Sequence, residues 1–303
     1  ISSSSSLTLA GPVLLLNDIK LDSQSTMNFQ QAVDSGVSAS PRSLVASGAN
    51  SIAFGGDVGA TNPLSTLQIT TPSASIKNFK TVGTQTFGDA SSAINSIGFD
   101  QNTIIETTGA TGDLVINGIF KPKNIQTDSI LTLKSAKNIS LGAGSGLDAT
   151  QTSNKKVDLV LWADSDATGG GKVSLNGASA SSRVTINTKG GALSIGGGSG
   201  SSMTGPATST DQSAGVSMNY ALLSTEGGAI TIGAKGTTAG AKFDNSTLVA
   251  SGGAIAITGE VSTCTSGCVG IEISGASEIS SIASASQGNI TLAGITPAAA
   301  PAP

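Results

Sequence analysis

The sequence predicts an all-β protein: a right-handed parallel β-helix (solenoid) with loop insertions. Three observations carry this: the composition is poor in charge and rings, a strand–Gly–Gly–strand unit recurs, and its copies are unevenly spaced. Gly supplies 40 of the 303 residues, charged residues make up 11%, and aromatics 3%. A compact helical protein would carry more Leu, Glu, Lys and Arg. The chain is not composed like a disordered one, because 38% of its residues are apolar and they recur at fixed places. β-branched residues between Gly-rich turns read as strands.

From about residue 27 to 100 the unit is of a Phe-Gly type. Met27-Asn-Phe-Gln-Gln-Ala-Val-Asp34 matches Ile52-Ala-Phe-Gly-Gly-Asp-Val-Gly59, and more loosely Gln85-Thr-Phe-Gly-Asp-Ala90. Phe29, Phe54 and Phe87 are expected to stack as a ladder inside the solenoid. From about 102 to 294 the unit is strand, polar turn, Gly-Gly, strand. Its clearest copies run from Arg183 to Gly196, Ala221 to Gly233, and Thr247 to Gly259. The second strand alternates apolar residues, as in Leu114/Ile116, Val173/Leu175, Leu193/Ile195, Ile230/Ile232, Ile255/Ile257 and Ile290/Leu292. That period of two turns one face inward.

Gly171, Gly191, Gly228, Gly253 and Gly288 read as anchoring glycines of successive coils. Their uneven spacing favours a solenoid with insertions over a propeller, whose blades keep a steadier period. With roughly 20–25 residues per coil, on the order of a dozen coils make a rod of about 60 Å. The rod is expected to run continuously over residues 1–296. Residues 297–303, Pro-Ala-Ala-Ala-Pro-Ala-Pro, read as a stiff linker or tail. Neither end carries an evident polar cap, and Ile1 is not a start Met, so the sequence reads as a segment of a longer chain.

Formal net charge is −4, and no basic run exceeds Lys155-Lys156. Nucleic acid is therefore not an expected partner. No apolar stretch is long enough for a spanning helix. The chain has no His, which removes the commonest general base and transition-metal ligand.

Candidate sites are few. Asp164-Ser-Asp166 before Gly169-Gly-Gly171 has some look of a Ca²⁺ loop, but a solvated turn with Asp capping backbone amides accounts for it. A polysaccharide-cleaving site would need carboxylates and a base from neighbouring coils. Asp158, Asp164, Asp166, Arg183 and Lys189 are its possible members, while Glu272 and Glu278 flank a strand. Thr185, Thr231 and Thr291 are too irregularly spaced for an ice-binding row. Asn138, Asn245 and Asn289 each open an Asn-x-Ser/Thr sequon and are possible glycosylation sites. Cys264 and Cys268 are expected to form a disulfide if the chain is exported, worth roughly 2 kcal/mol for so short a loop. No catalytic, cofactor-binding or metal-ligating residue is assigned, no cofactor is expected, and the chain is read as a non-enzyme.

The blocks Phe54-Gly-Gly-Asp-Val-Gly59 with Asn62-Pro-Leu-Ser-Thr-Leu67, Gln85 to Ala90, and Val157-Asp-Leu-Val-Leu-Trp-Ala-Asp-Ser-Asp-Ala-Thr-Gly-Gly-Gly171 resemble the filamentous-haemagglutinin-like adhesins of bacteria. The resemblance spans about Met27 to Leu292. It implies a β-helical rod, two-partner secretion through an outer-membrane partner, an extracellular or cell-surface location, and attachment to a surface receptor or glycan. It also implies that a Cys pair near the carboxyl end tethers the chain to its secretion partner. The reading is then an adhesive rod segment. A self-assembling filament subunit joined end to end and a β-helical polysaccharide-degrading enzyme are the alternatives. Contact is expected through outward loops, Gly196 to Asn219 and Gly233 to Asn245.

Overall fold

The computed structural model describes residues 1–296 other than 90, 153, 212, 263–266 and 283–286. Every regular element among them is a strand. The strands form two eleven-stranded parallel sheets and a nine-stranded one, and the chain visits the three faces in turn. A two-stranded pair, Val13–Leu15 with Val33–Ser35, begins the third face, and the bridges Val33 to Val58 to Phe79 carry it on. The result is a three-sided parallel β-helix of eleven rungs, a stack of about 50 Å at the usual strand spacing. Register partners on the first face are 18 residues apart at Leu67 and Gln85, and 43 apart at Val173 and Val216.

The alternation read from the sequence points inward as expected. On the third face Leu159, Leu193, Ile230 and Ile255 are register partners, as are Leu161, Ile195, Ile232 and Ile257, all buried. Ile290 and Leu292 continue these columns yet are 44% and 46% exposed, because they lie on the last described rung with one side uncovered. On the first face Leu114, Ile139, Val173 and Val216 stack likewise. Gln85 interrupts that column: its Nε2 donates to Glu106 O at 2.7 Å, and its Oε1 has no partner.

Two expectations need correction. Phe29 does stack on Phe54, with centroids 4.7 Å apart and planes 3° from parallel. Phe87 is not the next step, because Gln85–Phe87 belongs to the first face and Phe29 and Phe54 to the second. The ladder reaches it through Phe79 and goes on to Phe120. Gly171 likewise does not belong with the other anchoring glycines. It precedes the first-face strand Val173–Asn176, so Val173/Leu175 and Leu193/Ile195 are different faces of one rung.

The remaining glycines form one column at the corner between the second and third faces. A Cβ on Gly228 would lie 1.9 Å from Gly191 O, one on Gly253 2.1 Å from Gly228 O, and one on Gly288 2.0 Å from Gly253 O. The turns before Gly191, Gly228 and Gly253 are tight. Lys189-Gly190, Glu226-Gly227 and Ser251-Gly252 all have positive φ, and an i to i+3 backbone bond closes each turn, as in type I′ turns. Thr188 and Thr225 donate their hydroxyls to Gly191 O and Gly228 O at 2.6 and 2.5 Å.

Candidate functional site

The main insertion builds a groove beside the third face. Lys80, Glu106, Lys134 and Trp162 are successive outward register partners there. Glu106 pairs with both lysines, at 3.2 and 2.9 Å, and Lys134 Nζ lies 4.5 Å from the centre of the Trp162 ring. The next partner is Gly196, so the side of the indole away from Lys134 has no side-chain neighbour on its own column. The chain leaves the rung at this point. Gly197 and Gly205 exchange two backbone bonds, and Ala207–Thr208 pairs with Ala234–Lys235. Trp162 Nε1 donates to Gly198 O at 2.7 Å, and the residue is only 5% exposed.

The segment after Trp162 forms the opposite wall. Asp164 and Ala167 take positive φ, as does Gly170. Gly198 N donates to Asp164 O at 3.2 Å and Thr208 N to Gly171 O at 2.9 Å, so the insertion is tied to this turn. Between them lies a cavity of about 500 Å³ lined by Asp164, Thr168, Gly170, Thr208, Lys235 and Glu260, among others. Lys235 and Glu260 are register partners in an ion pair of 2.6 Å. A second cavity of about 160 Å³ shares Gly169, Gly170, Thr208 and Thr210 with the first, and holds Lys172 and Asp211 paired at 2.7 Å.

The two aspartates are tuned in opposite directions. Asp164 is 6% exposed, and its Oδ1 is buried without a partner. Burial pushes its carboxyl above the ordinary range and the nearby Asp166 charge adds to that, against the Thr208 hydroxyl and the Gly170 amide. Lys172, then the Ser209 and Ser213 hydroxyls, hold Asp211 well below the ordinary range.

The other expected residues scatter. Asp158 Oδ1 accepts from Ala192 N at 2.7 Å and satisfies a corner amide of the next rung, while Asp166 is taken up by Thr168. Arg183 lines a different cavity, of about 480 Å³, on the second face, with Asp148, Thr185 and Asn187; its Nε has no partner. Lys189 is the first residue of a corner turn. Glu272 pairs with Lys242 at 2.8 Å on the first face, whereas Glu278 lies on the second. Thr185 is on the second face, and Thr231 and Thr291 are on the third with Ala256 between them, so no threonine row forms. Among the described residues no group of three or more His, Cys, Asp or Glu is placed to hold a metal ion.

Asn138 donates Nδ2 to Asp113 Oδ1 at 2.9 Å and accepts from Lys172 N at 3.0 Å, so its amide is engaged on both sides. Asn245 donates to Asp244 and accepts from Ala276 N. Asn289 is exposed. Cys268 is disulfide-bonded, and Cys264 lies outside the described residues, as does the 297–303 tail. The expected loop Gly233 to Asn245 is instead mostly strand, Ile230–Gly236 and Ala239–Asp244; Gly196 to Asn219 does hold the large insertion. No helix among the described residues is long and apolar enough to cross a membrane.

Comparison with known proteins gives no match to a family model, to a curated protein or to a solved structure.

Lys235, Glu260, Thr208, Lys172 and Asp211 escaped the sequence reading. One of these pairings was within reach. Aligning the copies on Gly228 and Gly253 and extending them seven residues sets Lys235 opposite Glu260, the register the structure has. Lys172 and Asp211 are 39 residues apart across the insertion, and no local spacing links them.

Proposed function

We propose that the chain is a structural and adhesive rod segment of a large, exported surface protein of the filamentous-haemagglutinin-like kind. The observation that carries this reading is the eleven-rung stack from which one large insertion projects. A solenoid of this kind holds loops at fixed spacing along a stiff axis, which suits repeated weak contact with a surface. The outer column of the first face supports it as well: Val45, Gln68, Thr86, Val115, Ser140, Ser174 and Ser217 are uncharged over seven successive rungs. Such a face gives neither strong electrostatic steering nor a deep pocket. Beads coated with the purified chain at graded density, presented to cultured cell layers, test the proposal. Attachment is expected to rise steeply with density. No attachment at any density sinks it.

A polysaccharide-cleaving enzyme is the second reading, favoured by Asp164 and Glu260 with Lys235 in one groove. Release of reducing ends from a polysaccharide panel, abolished in Asp164→Asn, would establish it in place of the first.

A further inference from the structure

We propose that the groove between residues 163–171 and the insertion is a binding site for a neutral saccharide unit. The inference rests on the adhesive reading and supplies its ligand class. At about 500 Å³ the groove is within the range of small-molecule sites. Its three threonine hydroxyls already direct their protons to protein oxygens: Thr168 to Asp166 Oδ2 at 2.7 Å, Thr210 to Gly169 O at 3.3 Å, and Thr208 to either Pro206 O, at 3.2 Å, or the Asp164 carboxyl. Their oxygens keep lone pairs to offer. Glu260 adds an acceptor, Lys235 a donor, and Asp164 a carboxyl with an unpartnered oxygen. The site therefore lacks hydroxyl donors, which a sugar carries in excess.

Competing ligand classes fit less well. An anion would face Asp164 and Glu260. An apolar ligand would find only Ala167 and Pro206, with no aromatic ring and no large aliphatic side chain on the walls. A divalent cation wants six or more oxygen ligands, and here the Lys235 ammonium stands among them. A saccharide tolerates a close ion pair, and the glycines at 169, 170 and 198 let its ring approach backbone.

The structure carries its own reporter. Trp162 is the only Trp, and its indole is bonded to Gly198 O on the groove wall. The test is Trp162 emission of the whole chain titrated with lactose, maltotriose and diacetylchitobiose, with CaCl₂ as a separate arm. At least one saccharide is expected to give a saturable change. Thr208→Val and Asp164→Gly, the latter suited to the positive φ there, are each expected to weaken it at least fivefold. Thr86→Val, on the first face, is expected to leave it unchanged. If one variant fails to fold by circular dichroism, the other decides. Three things overturn the site: no saturable response to any of the saccharides, the same response to CaCl₂ alone, or wild-type titration by the folded variants. Bead attachment is read separately. Its failure with the titration intact sinks the adhesive role and keeps the site, and the reverse result sinks the site and keeps the role.

Discussion

Residues matter here through what lies one rung away. Gly228 is held by the carbonyl of Gly191 beneath it, not by its own φ. A methyl there must displace backbone, so Gly228→Ala is expected to destabilise the chain by more than about 1 kcal/mol in denaturant unfolding. Ser251 is a different case, because it takes φ of 49° at the first central position of a type I′ turn, where Asn is preferred. Ser251→Asn is expected to gain about 0.5 kcal/mol, and a loss would show that the turn is held by something else. Asp164 yields a pH signature. Its folded carboxyl titrates above the ordinary value of 3.8, so between those two pH values the folded chain binds more protons than the unfolded one. Its contribution to stability is therefore best at low pH and is lost as pH rises through that window. Asp164→Asn should raise Tm at pH 7 and have little effect at pH 3. An equal shift at both values would remove desolvation as the cause.

At the scale of elements, the insertion between Leu193–Gly196 and Val216–Asn219 acts as a cover. Its neighbour across the groove, residues 163–171, is joined to it by backbone bonds and by the Trp162 indole. Replacing residues 199–204 with a two-residue link is expected to expose Trp162 and shift its emission to the red. The far-UV signal should stay, because residues 199–204 belong to no strand and the Ala207–Thr208 pairing is kept. Loss of the β signal would mean that the insertion is part of the core. The corners repeat one device. Asp57, Asn78, Asn102, Asp128 and Asp158 each accept a backbone N–H from the following rung. They thus satisfy amides at bends where the ladder breaks, which accounts for carboxylates that could be mistaken for catalytic ones.

For the whole molecule, stability is a sum over rungs and their contacts. Leu161 is fully buried between Leu133 below and Ile195 above. Leu161→Ala is expected to cost about 2–5 kcal/mol. Hydrogen exchange should quicken first in the rungs on either side, since no rung contacts a distant one. Uniform loss of protection over all eleven would show a single cooperative unit instead.

The sequence by itself determined the fold class and which side chains point inward. Both follow from alternation with a period of two and from Gly-rich corners, which are local properties of strands. It also identified the Phe29–Phe54 step, because those two rungs have no insertion between them and their copies align directly. Only the tertiary structure decided the rest. It placed Phe87 and Gly171 on other parts of the rung than their local motifs implied, and it joined Asp164 to Thr208, Lys235 and Glu260. The physical reason is the stacking geometry. A residue's neighbours in a solenoid lie one rung away, and here a rung takes anywhere from 18 residues to 43. The insertion lengths set that offset, and no pattern within a single strand records it.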